Sequence, residues 1–401
     1  MLIRINLNAR RNETLMNKQE IHDPHSQKPT LVGWIMPTVP HYRVPVINKL
    51  TKCSDFTLSI YSGQELPGVS VGDSSSKVHA KTRKIWNLRL SSKDGWVFYV
   101  IGWTKMITDR CRVIIITEAS HNLTNWLLLV GRRMFGYKVV IMGHIKPWVG
   151  TSKTVSKLRK ILVNHADGII AYMPEGRDQA LAWGVSEERV VTMGNTLDFE
   201  TIDLAKHNVT PDVLKSLRDA LGFDAAPVFL FVGRPTPPKR LDLAIEATLI
   251  LEKTDDPVNL VVIGDSKYVE GYRALAGHSN RIVFLGEILN EERIAPYFAL
   301  CTAVILPGAV GLTIHHAFAY DRPLITSRNA QHRPEIALAK EGVNTIFVEE
   351  LLAHGFAESM KALTKDRELQ ERLITGSRGT SIPDQEIMVK RIAEAINKVA
   401  L

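Results

Sequence analysis

The segment Phe-Leu-Phe-Val-Gly-Arg-Pro-Thr-Pro-Pro-Lys-Arg, residues 229–240, shows the strand-loop-helix pattern from which the fold is predicted. An apolar run ends at Gly233, a proline-rich stretch with Arg234 and Lys239 follows, and a helical pattern begins near Leu241. The order of strand, loop and helix places the loop at the carboxyl end of a strand, where open α/β sheets bind ligands. Two cations at that edge suit a diphosphate, because guanidinium and ammonium groups both bind phosphate oxygens. A solvated basic turn is the alternative interpretation of this segment taken alone.

Short apolar runs alternate with helical patterns along most of the chain. The predicted strands lie at 31–36, 56–61, 113–117, 139–142, 168–172, 228–232, 260–263, 282–285, 303–306, 323–326 and 345–348. This alternation predicts an α/β protein with parallel sheets and helices on both faces of each sheet. A length of 401 residues exceeds one ordinary domain, so we expect two Rossmann-like domains whose sheets face each other across a cleft.

The same pattern gives the expected domain boundaries. Residues 1–28 are polar and irregular and predict a flexible extension, and residues 29–196 predict the N-terminal Rossmann-like domain. The pattern weakens over 197–226, which we interpret as a linker, and restarts over 227–380 as the C-terminal domain. Residues 381–401 predict a last helix with no strand after it, which is free to cross back to the N-terminal domain.

Composition narrows the class of partner. The three cysteines lie far apart without metal-ligand spacing, and no apolar run approaches the roughly 20 residues of a membrane span, so we expect a cytoplasmic protein. Residues 1–196 carry 27 Lys and Arg against 14 Asp and Glu, whereas residues 197–401 carry 23 against 28. The basic excess, concentrated around 77–93 and 153–160, suits an anionic membrane surface, with a solvated basic face as the alternative. No recognition motif for nucleic acid accompanies it.

A second anion signal lies at 305–320. Gly308 and Gly311 follow an apolar run and permit close backbone approach, and a helix is predicted to start at Leu312 and Thr313. The N–H groups at such a helix start favour an anion, so two anion-binding elements are expected at one edge of one sheet. No Gly-x-Gly-x-x-Gly fingerprint and no Walker sequence occurs in the chain, which argues against an oxidoreductase or an ATPase.

From about Val228 to Val348 the order of motifs resembles the nucleotide-sugar domain of glycosyltransferase family 4, which has the GT-B fold of two Rossmann domains. The motifs are Phe-Val-Gly-Arg at 231–234 with Lys239 after it, Val-Ile-Gly-Asp at 262–265, Val-Phe-Leu-Gly-Glu at 283–287 and Gly-Leu-Thr at 311–313. The first half matches more loosely, through Pro40-His-Tyr-Arg and Gly143-His144.

The resemblance implies roles for particular residues. Arg234 and Lys239 would bind the donor diphosphate and stabilise it as it leaves, and His144 would face the donor sugar. The remaining donor-binding candidates are Gly233, Gly308, Gly311, Leu312, Thr313, His316 and Glu335. His41 and Arg43 are the acceptor-binding candidates, and Glu118 is a candidate base. The alternatives are a structural histidine at 144 and, at 118, a carboxylate paired with a nearby cation.

Two positions depart from the family pattern. The family signature has two glutamates, beside the donor sugar and the ribose, where this chain has Gly308 and His316. A neutral imidazole can still hydrogen-bond a ribose hydroxyl, whereas Gly308 offers no side chain. The Pro-Gly-Ala-Val-Gly-Leu pattern at 307–312, with a histidine in the helix, is similar to a branch of bacterial envelope-polysaccharide glycosyltransferases.

By this resemblance the chain is expected to be a retaining, metal-independent glycosyltransferase. It would move a sugar from a nucleoside-diphosphate sugar to a saccharide acceptor, lipid-linked and at the inner face of the cytoplasmic membrane, in O-antigen, capsule or exopolysaccharide synthesis. No cofactor is expected beyond the donor substrate. A nucleotide-sugar epimerase on the same fold and a non-catalytic partner protein are the alternatives.

Overall fold

The structure is a computed structural model, and it describes residues 29–65, 72–89, 98–146 and 152–400. The extension predicted at residues 1–28 lies outside the described residues. Within the described part of the chain, two parallel sheets with helices around them form two α/β units. The predicted fold class, with one parallel sheet in each half of the chain, is therefore confirmed.

The strands of the N-terminal sheet are β1 (Thr30–Met36), β2 (Phe56–Ser62), β3 (Lys81–Lys84), β6 (Val113–Thr117), β7 (Lys138–Gly143), β8 (Gly168–Ala171) and β9 (Val190–Thr192). Across the sheet they follow the order β3-β2-β1-β6-β7-β8-β9 over the described residues. Between β3 and β6 the chain forms an antiparallel ribbon of β4 (Trp86–Arg89) and β5 (Phe98–Ile101). The helices of this half are α1 (Val44–Leu50), α2 (Lys105–Thr108), α3 (Leu123–Phe135), α4 (Lys153–His165) and α5 (Pro174–Ala182).

Two helices, α6 (Phe199–His207) and α7 (Pro211–Ala220), lie in the predicted linker. The strands of the C-terminal sheet are β10 (Val228–Val232), β11 (Asn259–Ile263), β12 (Ile282–Phe284), β13 (Ala303–Leu306), β14 (Leu324–Ser327) and β15 (Thr345–Val348). Across the sheet they follow the order β12-β11-β10-β13-β14-β15 in the described residues. Its helices are α8 (Leu241–Glu252), α9 (Val269–Ala276), α10 (Glu291–Leu300), α11 (Thr313–Ala319), α12 (Ala353–Lys365) and α13 (Arg367–Arg378).

Strand order locates the two places where ligands are expected. β1 lies between β2 and β6, and β10 lies between β11 and β13, so the direction of winding reverses at each of these strands. Open α/β sheets bind ligands outside the carboxyl ends of the strands at such switch points. The loop after β1 carries His41 and Arg43, and the loop after β10 carries Arg234 and Lys239. The fold thus places both predicted groups at switch points.

The last helix, α14 (Gln385–Ala400), packs on the N-terminal half although it follows the C-terminal domain. Its buried residues Met388, Ile392 and Ile396 belong to the same apolar core as β1 and β2. A second link is Tyr42, which precedes α1 and packs against the C-terminal core. None of the helices described is both long and apolar enough to cross a membrane.

Candidate active site between the two domains

The loop after β10 is shaped by residues in the left-handed region of backbone space. Gly233 has φ +124°, and its N–H donates to the Ile263 carbonyl at 2.9 Å. Arg240 has φ +51°, and its guanidinium pairs with Asp242 at 2.8 Å at the start of α8. Arg240 is held by this ion pair, and Arg234 and Lys239 are the predicted diphosphate-binding cations of the same loop.

Neighbouring loops hold the β10 loop on both sides. On one side the Ser266 hydroxyl donates to the Pro235 carbonyl at 2.5 Å. On the other side the N–H of Gly308 donates to the Lys239 carbonyl at 3.0 Å, and the N–H of Ala309 donates to the Pro238 carbonyl at 2.8 Å. The two predicted anion elements are therefore joined directly through their backbones.

The absence of a side chain at Gly308 has a local cause. A Cβ atom there would lie 2.1 Å from the Pro238 carbonyl oxygen and 2.9 Å from the Lys239 Cα, which are distances that real Cβ atoms do not show. The β10 loop thus fills the space where the family's glutamate would begin. Since its N–H is also bonded to Lys239, Gly308 acts on the predicted donor site through the position of this loop.

Lys239 is a half-buried ammonium group. Its Nζ donates to the Ala309 carbonyl at 3.4 Å and lies beside Gly233 and Thr313. Within the described residues no carboxylate oxygen lies within salt-bridge distance of Nζ. Burial, with the charge of Arg333 added, lowers the pKa of Lys239 to about 8. A buried cation without a carboxylate partner favours an anionic ligand.

Arg333 is a third cation of this cluster, and the sequence interpretation missed it. Its N–H donates to the Val310 carbonyl at 2.8 Å, and its side chain lies 3.4 Å from the Cβ position of Gly311. Its charge lowers the pKa values of both Lys239 and His144, so it lies between the two domains. Arg333 lies two residues before the predicted donor-binding residue Glu335, in the segment that follows β14 at the same sheet edge.

The start of α11 supplies the remaining predicted donor contacts. The helix begins at Thr313, whose hydroxyl donates to the Val232 carbonyl at 3.2 Å and so ties α11 to the end of β10. Gly311 and Leu312 accept the N–H groups of Ile314 and His315. Gly311 and Thr313 therefore lie next to Arg333 and Lys239, and their contact with a donor stays a prediction.

His144 follows β7 and faces the cation cluster from the N-terminal domain. Burial, with the charges of Arg333, Arg43 and Arg159 added, lowers the pKa of His144 to about 4. The imidazole is therefore neutral at pH 7 and can both donate and accept a hydrogen bond. Ile145 has φ +62°, a strained conformation for a β-branched residue, and such strain is concentrated at functional sites.

Glu118, the predicted base, lies in a buried ion pair. Its Oε1 is 2.6 Å from Nε of Arg159, and its side chain is 5% exposed. Burial raises the pKa of Glu118 to about 7, although Arg159 opposes the shift. This geometry matches the alternative left open by the sequence, a carboxylate paired with a nearby cation, and it favours a positioning role beside His144. The role of base stays an untested prediction.

The two acceptor candidates face different surroundings. Arg43 is 4% exposed, and its guanidinium carbon lies 5.0 Å from the centre of the Tyr172 ring and 5.5 Å from that of Tyr42. His41 lies across the cleft from Glu287, Glu291 and His316, and burial lowers its pKa. Arg43 therefore forms part of the cleft floor, whereas His41 meets the C-terminal domain.

His316 is bound to an acid that the sequence interpretation did not single out. Its Nε2 lies 2.8 Å from Oε1 of Glu291, and the Tyr320 hydroxyl donates to Oε2 of Glu291 at 3.0 Å. Burial opposes ionisation, but these two bonds hold the pKa of Glu291 below its ordinary value. A carboxylate thus lies beside position 316 even though the residue there is histidine.

Within the described residues no group of three or more potential ligands is arranged to hold a metal ion.

Glu335 joins the two domains. It is 2% exposed, and its Oε1 accepts a hydrogen bond from Asn195 Nδ2 at 2.9 Å. Asn195 is anchored in the N-terminal domain by its N–H bond to the Tyr172 carbonyl at 2.9 Å. Glu335 therefore fixes the segment that carries Arg333, and a direct contact with the donor stays a prediction.

Comparison with known proteins finds a family match in the C-terminal half of the chain. Residues 226–366 match the family model of glycosyl transferases group 1. Over 164 residues the chain is 27% identical to an alpha-D-kanosaminyltransferase of Streptomyces kanamyceticus, and the alignment covers 39% of this chain and 41% of that relative. The match therefore spans less than half of either protein, and family 4 in particular stays a prediction.

Solved structures match almost the whole chain. Anabaena HepE in complex with UDP is similar with a TM-score of 0.66 at 17% identity, covering 92% of this chain and 99% of that chain. A glycosyltransferase from Rickettsia africae is similar with a TM-score of 0.70 at 13% identity, covering 93% and 99%. These likenesses show the fold, and the expected GT-B architecture is confirmed.

Gly308→Ala tests the contact between the two loops. The added methyl group overlaps the Pro238 carbonyl, so the β10 loop must move and carry Lys239 with it. We expect destabilisation of about 1–3 kcal/mol, as for other overpacked sites, measured by chemical denaturation, and weaker binding of the predicted ligand, a nucleoside diphosphate, in calorimetry. Gly271→Ala, with nothing within 4 Å of its added methyl group, is the matched control. Because Gly271 lies in α9 and alanine favours a helix, this change should not lower stability and should leave nucleotide binding unchanged. An unchanged Gly308→Ala protein would contradict the described contact.

The pH dependence of diphosphate binding tests Lys239. A lysine with a pKa of about 8 is charged below that pH, so its attraction for an anion is complete at pH 7 and lost as the pH rises. Affinity for a nucleoside diphosphate should fall by up to about tenfold between about pH 7 and 9 by proton linkage. Lys239→Arg should bind the same nucleotide with little pH dependence over this range, because arginine stays charged. Equal pH profiles for the two proteins in calorimetric titrations would rule out this role for Lys239.

Proposed function

We propose that the protein is a glycosyltransferase that moves a sugar from a nucleoside-diphosphate sugar to a saccharide acceptor with retention of configuration. The observation that carries the proposal is the half-buried Lys239, held on a fixed loop beside Gly233, Thr313 and Arg333. The match of residues 226–366 with group 1 glycosyl transferases supports transferase chemistry at this place.

The chemical demand of such a reaction is the negative charge that develops on the departing nucleoside diphosphate. Arg234, Lys239 and Arg333 lie on loops at one sheet edge and would meet this charge, with the backbone N–H groups of 311–313 as further donors. Because preorganised charges need no reorganisation during the reaction, this arrangement would act without a metal ion. UDP is the first nucleotide to test, since HepE was crystallised with it.

The N-terminal domain would hold the donor sugar and the acceptor. Neutral His144 would donate and accept hydrogen bonds with the sugar hydroxyls, and Glu118 with Arg159 would fix the segment that carries it. His316, held by Glu291, would contact the ribose, and His41 lies opposite that pair. The resemblance supports retention and a place in envelope-polysaccharide synthesis, and the basic N-terminal half supports a lipid-linked acceptor at the inner membrane face.

The experiment that tests this function is a screen of nucleoside diphosphates and their sugars by thermal shift, followed by product analysis. A selective ligand raises the melting temperature by mass action and so identifies the donor. With that donor and a saccharide acceptor, NMR should show a new glycosidic bond whose anomeric configuration matches that of the donor. A donor sugar altered in the absence of acceptor would instead indicate an epimerase. A melting temperature that no nucleotide raises would indicate a non-catalytic partner.

Arg234→Ala and Lys239→Ala test the diphosphate site. Each removes one charge-assisted hydrogen-bond donor, which is worth about 1.5–3 kcal/mol, so the Kd for UDP should rise about 10- to 150-fold in calorimetry. Lys215→Ala is the control, because it removes one exposed cation of α7, outside the β10 loop, and should leave the Kd within about twofold. An equal loss in all three variants would indicate a non-specific charge effect and count against the site.

A further inference from the structure

Helix α3 exposes an apolar face along its whole length. Leu123, Leu127, Val130 and Met134 recur at spacings of four, three and four residues, which places them on one side of the helix. Val130 is 78% exposed and Met134 is 80% exposed, so no described residue covers this end of the face. Large apolar side chains aligned in this way mark an interaction surface far more often than single exposed ones do.

The exposed face continues onto neighbouring elements. α3 packs against α4 and β5, and α4 exposes Val155, Leu158 and Ile161. The β4–β5 ribbon exposes Trp86 and its cross-strand partner Ile101, and the N–H of Val100 in β5 donates to the Thr124 hydroxyl in α3 at 2.8 Å. We call α3, α4 and the ribbon, with these exposed side chains, the apolar-basic surface.

The charge of this surface has one sign. Neither α3 nor α4 contains an aspartate or a glutamate, whereas Arg133, Lys153, Lys157 and Lys160 are exposed on them. The cations of these helices that are tied elsewhere are Arg132, which pairs with Asp167, and Arg159, which pairs with Glu118. Two copies of α3 and α4 would therefore bring like charges together with no carboxylate of these helices between them.

We propose that the apolar-basic surface docks on an anionic lipid bilayer. Apolar side chains that enter the boundary of the acyl chains, flanked by lysines and arginines that reach the headgroups, are the combination that binds helices in the membrane interface. Each exposed cation near an anionic leaflet adds to the attraction, which salt weakens. The absence of acids from α3 and α4 fits this partner and disfavours a second copy.

Binding of this surface to a bilayer does not depend on the proposed function. Only its benefit, bringing a lipid-linked acceptor to the cleft, rests on that function. α3 follows β6 and Glu118, and α4 follows β7 and His144, so both helices leave the sheet edge that lines the cleft. Arg159 of α4 bonds to Glu118 at that edge. A bilayer on the apolar-basic surface would bring the saccharide of a lipid-linked acceptor close to the N-terminal side of the cleft.

The test is flotation of the full chain with vesicles of phosphatidylcholine, with and without phosphatidylglycerol. Val130→Glu/Met134→Glu places two anions on the exposed face, and because both side chains are in solvent the fold should be unchanged. The partition coefficient to phosphatidylglycerol vesicles should drop about 100-fold or more, since two apolar contacts with lipid are lost. Lys153→Gln/Lys157→Gln/Lys160→Gln should bind about 100-fold more weakly and lose the preference for phosphatidylglycerol.

The matched control is Leu204→Glu, which adds an acid at an apolar side chain of α6 that is 65% exposed and lies outside the surface. It should float as the wild type does. Equal binding of wild type and Val130→Glu/Met134→Glu, or an equal loss in Leu204→Glu, would overturn the proposal. So would a wild-type dimer in light scattering without vesicles that Val130→Glu/Met134→Glu converts to a monomer, because a second copy would then be the occupant.

The outcome is separable from that of the proposed function. Val130→Glu/Met134→Glu should keep the thermal shift that UDP gives to the wild type, and Arg234→Ala should lose that shift while it floats normally. If the wild type floats with the vesicles but no nucleotide raises its melting temperature, the docking proposal stands and the proposed transferase function is overturned.

Discussion

The candidate site depends on two backbone hydrogen bonds, from Gly308 to the Lys239 carbonyl and from Ala309 to the Pro238 carbonyl. They join the loops that follow β10 and β13, the adjacent strands at the switch point of the C-terminal sheet. Gly308 permits this approach because a side chain there would overlap the Pro238 carbonyl. The position of Lys239, and therefore the charge offered to a ligand, follows from this contact between loops.

The same packing determines the electrostatics on both sides of the cleft. Burial and Arg333 lower the pKa of Lys239 to about 8, and burial with a set of three arginines lowers that of His144 to about 4. No carboxylate oxygen of the described residues lies within salt-bridge distance of Lys239 Nζ. The repulsion between Lys239 and Arg333 therefore raises the free energy of the unliganded site, and an anionic ligand would relieve this repulsion. The hydrogen bond between Asn195 and Glu335 holds together the domains that carry the two halves of this charge pattern.

The sequence predicted the fold well where burial dominates. The apolar runs at 228–232 and 303–306 coincide with β10 and β13, because strands buried on both faces are continuous apolar segments. β3, with the sequence Lys-Thr-Arg-Lys, was missed because an edge strand can be polar, and β9 was missed because it has three residues. The exposed face of α3 was also missed, since apolar periodicity does not distinguish a buried face from an uncovered one.

The site was predictable only in part. Arg234, Lys239 and His144 were identified because each lies in a loop that follows a predicted strand, and the structure places them around one cleft. Arg333 and Glu291 come from distant segments and reach the site through tertiary packing, which no local pattern encodes. Gly308 was interpreted as a lost side chain, and its close contact with Pro238 depends on the path of another loop.

A crystal structure of the protein with UDP tests most directly whether Lys239 binds the diphosphate. We expect phosphate oxygens about 3 Å from Lys239 Nζ, within hydrogen-bond distance, and contacts from Arg234 and Arg333 to the same diphosphate. The Gly308–Lys239 hydrogen bond should persist in that complex. A diphosphate bound elsewhere, with Lys239 still bonded to the Ala309 carbonyl, would rule out this role for Lys239.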